Sequence, residues 1–314
     1  MKKDLISISD LARGDIEALF ETTRMLKSGA IKKILYGKTI AMIFEKPSLR
    51  TRVTFEVGMT QLEGHSIYLT QSDIRLGGRE SVGDAARNLE RWVDGIVART
   101  FRHETVIELS NNCNVPVINA LSNLEHPCQA LSDFFTIHEK KGRFYGLNIA
   151  FVGDGNNVCN SLILLSSLLG TNFTIACPKG YEPDGSIIEK ANKNNKTSDG
   201  SLRIVRAPEE AVKDADIVYT DVWISMGDEQ EKEERLNAFE GFQVNSQLLS
   251  VAKPDVIVMH CLPAKRGLEI SDEVIDGKHS VVFDQAENRL HVQKAILVHL
   301  MIRGDRRQFQ LFGN

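Results

Sequence analysis

The stretch TIAMIFEKPSLRTRVTFEVGMTQLEG (39–64) joins a continuous apolar run to an amphipathic one across a proline and a serine. The run 39–44 is short and wholly apolar after its first residue, which marks a strand covered on both faces. Pro47 holds Lys46 extended, so a helix begins only after it, and Ser48 is a good N-cap for that helix. A buried strand feeding a helix through a short turn is the first half of a parallel crossover.

The same alternation runs along the chain. Further strand candidates are HSIYL (65–69), DGIVAR (94–99) and VPVINA (115–120). A second series comprises LNIAFVG (147–153), NFTIAC (172–177), LRIV (202–205), DIVYTD (216–221) and DVIVMHC (255–261). Helix-like segments such as SVGDAARNLERW and HPCQALSDFFTIHEKKG separate them. The pattern predicts an α/β protein of two doubly wound parallel sheets. The glycine-punctuated connection KKGRFYG (140–146) divides a first domain, 1–140, from a second, 141–287. The tail NRLHVQKAILVHLMIR (288–303) reads as a helix with Val292, Ala295, Ile296 and Leu300 on its apolar side, and the segment 288–314 is expected to pack back on the first domain.

Bulk composition narrows the functional classes. A net charge of −4 disfavours a general nucleic-acid or membrane-surface binder, so any anion site must rest on a local cluster of arginines. The five cysteines form no C-x-x-C pair, which favours neither a metal centre nor a disulfide framework. The N-terminal stretch MKKDLISISDLARGDIEALF carries no apolar core of a leader, and no apolar run is long enough to span a bilayer; a cytoplasmic protein is expected.

Ligands of open α/β sheets gather beyond the carboxyl ends of the strands, and five unusual stretches fall there. Ser48, Leu49, Arg50, Thr51 and Arg52 open a helix whose N–H groups and dipole favour an anion; they make either a phosphate cradle or a capped surface helix. His126-Pro127-Cys128-Gln129 stands at another strand-to-helix junction, with hydrogen-bonding groups suited to a carbonyl and an amide, or as a structural helix start. The sequence GDGNNV (153–158) imitates a dinucleotide fingerprint but has Val158 at its sixth position, and the acidic ribose ligand expected about 20 residues later is missing. A nicotinamide-dependent dehydrogenase is therefore disfavoured; the turn is expected to present Asn side chains to a small polar ligand. DVWISMG (221–227) offers Asp221 to an ammonium group or as a helix cap, and MHCLPAKRG (259–267) places His260 beside Cys261. That thiol is either reactive or a buried structural one.

Together these stretches resemble the carbamoyltransferase family over nearly the whole chain, from Phe44 through Arg289. S-x-R-T-R with H-P-x-Q resembles its carbamoyl-phosphate signature; D-x-x-x-S-M-G and H-C-L-P resemble its ornithine branch. The resemblance implies carbamoyl transfer from carbamoyl phosphate to the δ-amine of L-ornithine, with no metal or organic cofactor. It implies that Ser48, Leu49, Arg50 and Thr51 hold phosphate, with Arg99, His126, Pro127, Cys128, Gln129 and Arg289 around the phosphate and the carbamoyl group. Asn157, Asp221, Ser225 and Met226 would bind ornithine, and Cys261 and Leu262 would sit beside the reacting amine, Cys261, Arg99 and His126 being catalytic. Position 49 is Leu where the family usually has Thr or Gly, which a contact through the backbone N–H would tolerate. Arg75 lies in the loop that the family lends to a neighbouring subunit, where many relatives have Gln. A homotrimer or a multiple of trimers, with sites at subunit interfaces and closure of the two domains, is implied as well. The alternatives are a sister enzyme acting on aspartate, putrescine or an acylated ornithine, and a non-catalytic chain that binds the same ligands.

Overall fold

β1 (Thr39–Phe44) lies at the centre of a four-stranded parallel sheet with β2 (His65–Thr70), β3 (Gly95–Arg99) and β4 (Val117–Leu121), in the order β2-β1-β3-β4. These elements come from a computed structural model that describes residues 1–31, 33–224 and 229–302. Ile40, Ile43, Ile96 and Val97 have no solvent exposure, and burial of each such side chain stabilises the sheet by about 1.5–3 kcal/mol. In this sheet Phe44 pairs with Arg99 at the carboxyl ends of β1 and β3.

Chain contacts divide the molecule into two units, Met1–Phe135 with Glu287–Asn314, and Thr136–Ala286. The second unit holds β5 (Asn148–Val152), β6 (Asn172–Ala176), β7 (Ser201–Val205), β8 (Ile217–Thr220) and β9 (Ile257–His260), all parallel, in the order β7-β6-β5-β8-β9. Its core includes Ala150, Val152, Val218, Val258, Phe239 and Ile270. The core of the first unit includes Ala41, Ile43, Ile96, Ala98, Val106 and Leu109.

Strand order places the sites. In the first sheet the chain leaves β1 toward β2 and returns on the other side of β1 as β3. In the second it leaves β5 toward β6 and β7 and returns on the other side as β8. Each sheet thus has one point where the winding reverses, and a crevice opens there beyond the strand ends. The first crevice receives the loops after Phe44 and Arg99; the second receives those after Val152 and Thr220. Each of the nine strands expected from the sequence corresponds to one found among the described residues. The last helix, Val282–Met301, starts six residues before the segment 288–303 read from the sequence.

Candidate active site

In the first unit, Ser48 is extended and accepts the Thr51 N–H on its hydroxyl at 3.3 Å, capping the Leu49–Gln61 helix. The cap and the anion site are therefore compatible, because the N–H groups of the first turn still lack partners within the helix. Leu49 turns its side chain to solvent, so its N–H is the part that can serve a ligand. Thr51 is buried, and its Oγ1 accepts from Arg289 Nη2 at 2.8 Å. The other arm of that guanidinium, Nη1, donates to Gln129 Oε1 at 2.9 Å, and Gln129 Nε2 donates to Asp133 Oδ1 at 2.8 Å.

Arg99 ends β3 where the register with β4 shifts between Ala98 and Arg99, and it is buried. His126 is buried just before the Pro127–Lys141 helix. Burial pushes the His126 imidazolium well below the usual histidine range, and the positive charges of Arg289, Arg99 and Arg50 push it further. Those three guanidiniums and a neutral imidazole thus share one crevice. Arg99 and Arg289 are buried and Arg50 is half-buried, and like charges gathered in this way favour an anion.

Other predicted residues take different places. Cys128 is buried and directs its thiol at the Asn119 carbonyl; burial raises its pKa to about 12, with Arg289 opposing. Any ligand contact from Pro127 or Cys128 must then come from backbone. Arg52 stacks over the Tyr68 ring, 3.8 Å from its centroid, and pairs with Glu56 on the exposed side of the helix. Arg75 is exposed, in left-handed backbone that ends the Gln71–Ile74 helix.

In the second unit the register Thr220 beside His260 brings the next residues, Asp221 and Cys261, to the ends of neighbouring strands. Cys261 Sγ donates to Asp221 Oδ1 at 3.0 Å. The same oxygen accepts the Val222 N–H at 2.8 Å, and Oδ2 accepts from Asn156 Nδ2 at 2.8 Å. Asn156 also caps the Asn157–Leu169 helix by accepting the Val158 and Cys159 N–H groups. This asparagine therefore aims its amide at Asp221 and not at solvent, while Asn157 is half-buried at the helix start. Ser225 and Met226 lie outside the described residues.

The glycine turn has its own explanation. Gly153 has φ +147°, which glycine alone adopts freely, and a Cβ on Gly155 would stand 2.2 Å from the Pro183 nitrogen. The chain's own backbone fills the place where a dinucleotide fingerprint would admit a pyrophosphate.

His260 is fully buried. Its Nδ1 accepts the Leu262 N–H at 2.8 Å, which puts the ring proton on Nε2, 3.0 Å from Glu269 Oε1. Leu262 has φ +57°, unusual for a residue with a branched side chain, and the histidine bond helps to hold it there. Although ligand atoms of Asp221, His260 and Cys261 fall within 4.8 Å of one another, both ring nitrogens of His260 are already engaged. A metal on that trio would have to break one of those bonds.

Sequence reading missed Asp133 and Glu269, and it expected the turn's Asn side chains to face a ligand where Asn156 instead holds Asp221. Asp133 was reachable, since it lies four positions after Gln129 on one helix, where side chains meet. Glu269 had no such signal; it comes from a loop whose approach to β9 is set by tertiary packing.

The profile of the carbamoyl-phosphate-binding domain of aspartate/ornithine carbamoyltransferase matches residues 3–139, and that of its Asp/Orn-binding domain matches residues 145–300. The chain belongs to the aspartate/ornithine carbamoyltransferase family. It is 55% identical over 305 residues to the ornithine carbamoyltransferase of Methanosarcina mazei, covering 96% of this chain and all of that one. The solved ornithine carbamoyltransferase of Pyrococcus furiosus superposes with a TM-score of 0.92 at 51% identity, covering 95% of this chain and 96% of that one. That of Thermus thermophilus gives 0.87 at 46% identity, covering 96% and 99%. In aspartate/ornithine carbamoyltransferase terms, the first sheet carries the carbamoyl-phosphate domain and the second the Asp/Orn domain.

Proposed function

We propose that the protein transfers the carbamoyl group of carbamoyl phosphate to the δ-amine of L-ornithine, giving L-citrulline and phosphate. The observation that carries this is the crevice where Arg50, Arg99 and Arg289 surround a neutral, buried His126 beside the open N-terminus of a helix. Carbamoyl phosphate supplies the dianion such a crevice needs. Relatives above 50% identity that are described as ornithine carbamoyltransferases support the choice of amine.

The amine nitrogen attacks the carbamoyl carbon, a C–N bond forms, and the C–O bond to phosphorus breaks with its electron pair leaving on phosphate. Arg50, Arg99 and His126 stabilise the charge that grows on the carbonyl and leaving oxygens. Asp221 pairs with the α-ammonium of ornithine, Asn157 with its carboxylate, and Ser225 and Met226 complete that end. The attacking amine must be neutral, and an alkylammonium of pKa ~10.4 leaves on the order of one molecule in 10³ neutral at pH 7. Here the Cys261 thiol donates a hydrogen bond to the Asp221 carboxylate, so its role is to steer the amine, and the departing phosphate takes the proton that the amine gives up.

The residues Leu49, Val53 and Val57 expose 75%, 44% and 36% of their surface at four-residue spacing on one helix face. Such a stripe supports the homotrimer, with the Arg75 loop lent to a neighbouring site. None of the described helices is long and apolar enough to cross a membrane, and all five cysteines are free thiols, which supports a cytoplasmic setting. Light scattering tests the assembly: a mass of three chains is expected, and a monomer would remove the lent loop. Isotope-traced citrulline formation from carbamoyl phosphate and ornithine tests the reaction.

A further inference from the structure

We infer that Asp133 is a positioning residue that, together with Arg289, fixes which end of the Gln129 amide faces the carbamoyl group. This rests on the reading above that Gln129 lines the carbamoyl-phosphate crevice.

Gln129 lies between two groups of opposite hydrogen-bonding character. Arg289 can only donate, so its Nη1 at 2.9 Å demands the amide oxygen. Asp133 as a carboxylate can only accept, so its Oδ1 at 2.8 Å demands the amide nitrogen. Chemistry at both ends therefore dictates one orientation of an otherwise reversible amide. Gln129, Asp133 and Arg289 are all buried, so water cannot replace either partner cheaply. The four-residue spacing on the Pro127–Lys141 helix sets the contact between Gln129 and Asp133.

The consequence is at the ligand. An amide oxygen has two lone pairs, and Arg289 takes one. The second remains for a donor, and the carbamoyl NH₂ is a donor. A flipped amide would set N–H against N–H. Asp133 thereby selects a ligand that carries an N–H donor next to phosphate over phosphate alone, without touching either.

The test compares carbamoyl phosphate with inorganic phosphate in Asp133→Asn, Gln129→Ala and the double variant, using the full chain. Asparagine keeps the shape but can offer either its NH₂ or its oxygen to Gln129, which leaves Arg289 alone to hold the amide's orientation. KM for carbamoyl phosphate should rise tenfold or more in Asp133→Asn, while Ki for inorganic phosphate stays within about twofold. In the Gln129→Ala background the substitution should add nothing further. Equal losses for both ligands, or a full Asp133 effect without Gln129, would make Asp133 a structural residue and overturn the inference. A Gln129→Ala chain with an unchanged ratio of the two affinities would instead remove Gln129 from the carbamoyl group, a failure of the underlying reading. Should Asp133→Asn not fold, Asp133→Ser is measured in its place, because a hydroxyl also both donates and accepts.

Discussion

Cys261 and Asp221, one residue beyond the paired ends of β9 and β8, are joined by a thiol-to-carboxylate hydrogen bond of 3.0 Å. The bond ties the cysteine proposed to steer the amine to the residue proposed to hold the ornithine ammonium. Asp221→Asn keeps the Asn156 and Val222 contacts sterically possible but removes the anion. Ornithine KM should rise at least tenfold while carbamoyl-phosphate KM changes less than threefold. Equal losses for both would show a folding defect.

Cys261→Ser preserves a donor to Asp221 and should leave ornithine affinity within a few-fold. Turnover should fall, since the shorter, less polarisable hydroxyl sits differently against the amine. Both chains should gain activity from pH 6 toward 8–9, because the neutral amine is the reactive species. A pH profile for Cys261→Ser that lost this rise would show the thiol to be the proton acceptor after all.

Arg50→Ala should weaken carbamoyl-phosphate binding by about 2–5 kcal/mol, the range for removing one partner of a desolvated charge pair. Titration calorimetry reads it directly. Unchanged affinity would take Arg50 out of the crevice.

His126 makes the acid limb of stability steeper. Burial and three guanidiniums depress its pKa in the folded chain, whereas the unfolded chain keeps a value of about 6.5. Below pH 6.5 the unfolded state binds the extra proton, so stability falls as pH falls, until the folded pKa is passed. Each such group contributes a slope of up to about 1.4 kcal/mol per pH unit. His291 and His299, both lowered chiefly by burial, act in the same direction. His126→Gln should therefore flatten, but not abolish, the loss of stability between pH 6.5 and 5, measured by denaturant unfolding. An identical slope would mean that His126 is charged in the folded chain.

Glu269 supports Leu262 through His260. Glu269→Gln retains an oxygen for the His260 Nε2–H and should cost little. Glu269→Leu leaves that buried N–H without an acceptor, at about 1–3 kcal/mol, and should lower turnover as Leu262 loses its brace. Equal behaviour of the two variants would sever the link to Leu262.

Much of this architecture is readable from local pattern. Apolar runs such as 39–44 and 147–153 have no amphipathic rival at that length, and the five unusual stretches fall just beyond strand ends in the sequence itself. What stayed hidden is the second layer of contacts. Whether Asn156 faces solvent or Asp221, and whether Gln129 is held by Asp133 and Arg289, depends on strand order and on a helix returning from residue 282. The surroundings of Cys261 were hidden for the same reason: the carboxylate beside it comes from another strand, 40 residues away in the chain.

The most direct measurement is citrulline-type product formation from carbamoyl phosphate with L-ornithine, N-acetylornithine, putrescine and L-aspartate in parallel. Rapid carbamoylation of L-ornithine is expected, with at least a hundredfold lower kcat/KM for the other three. A preference for any of them, or binding of both substrates with no turnover, would contradict it.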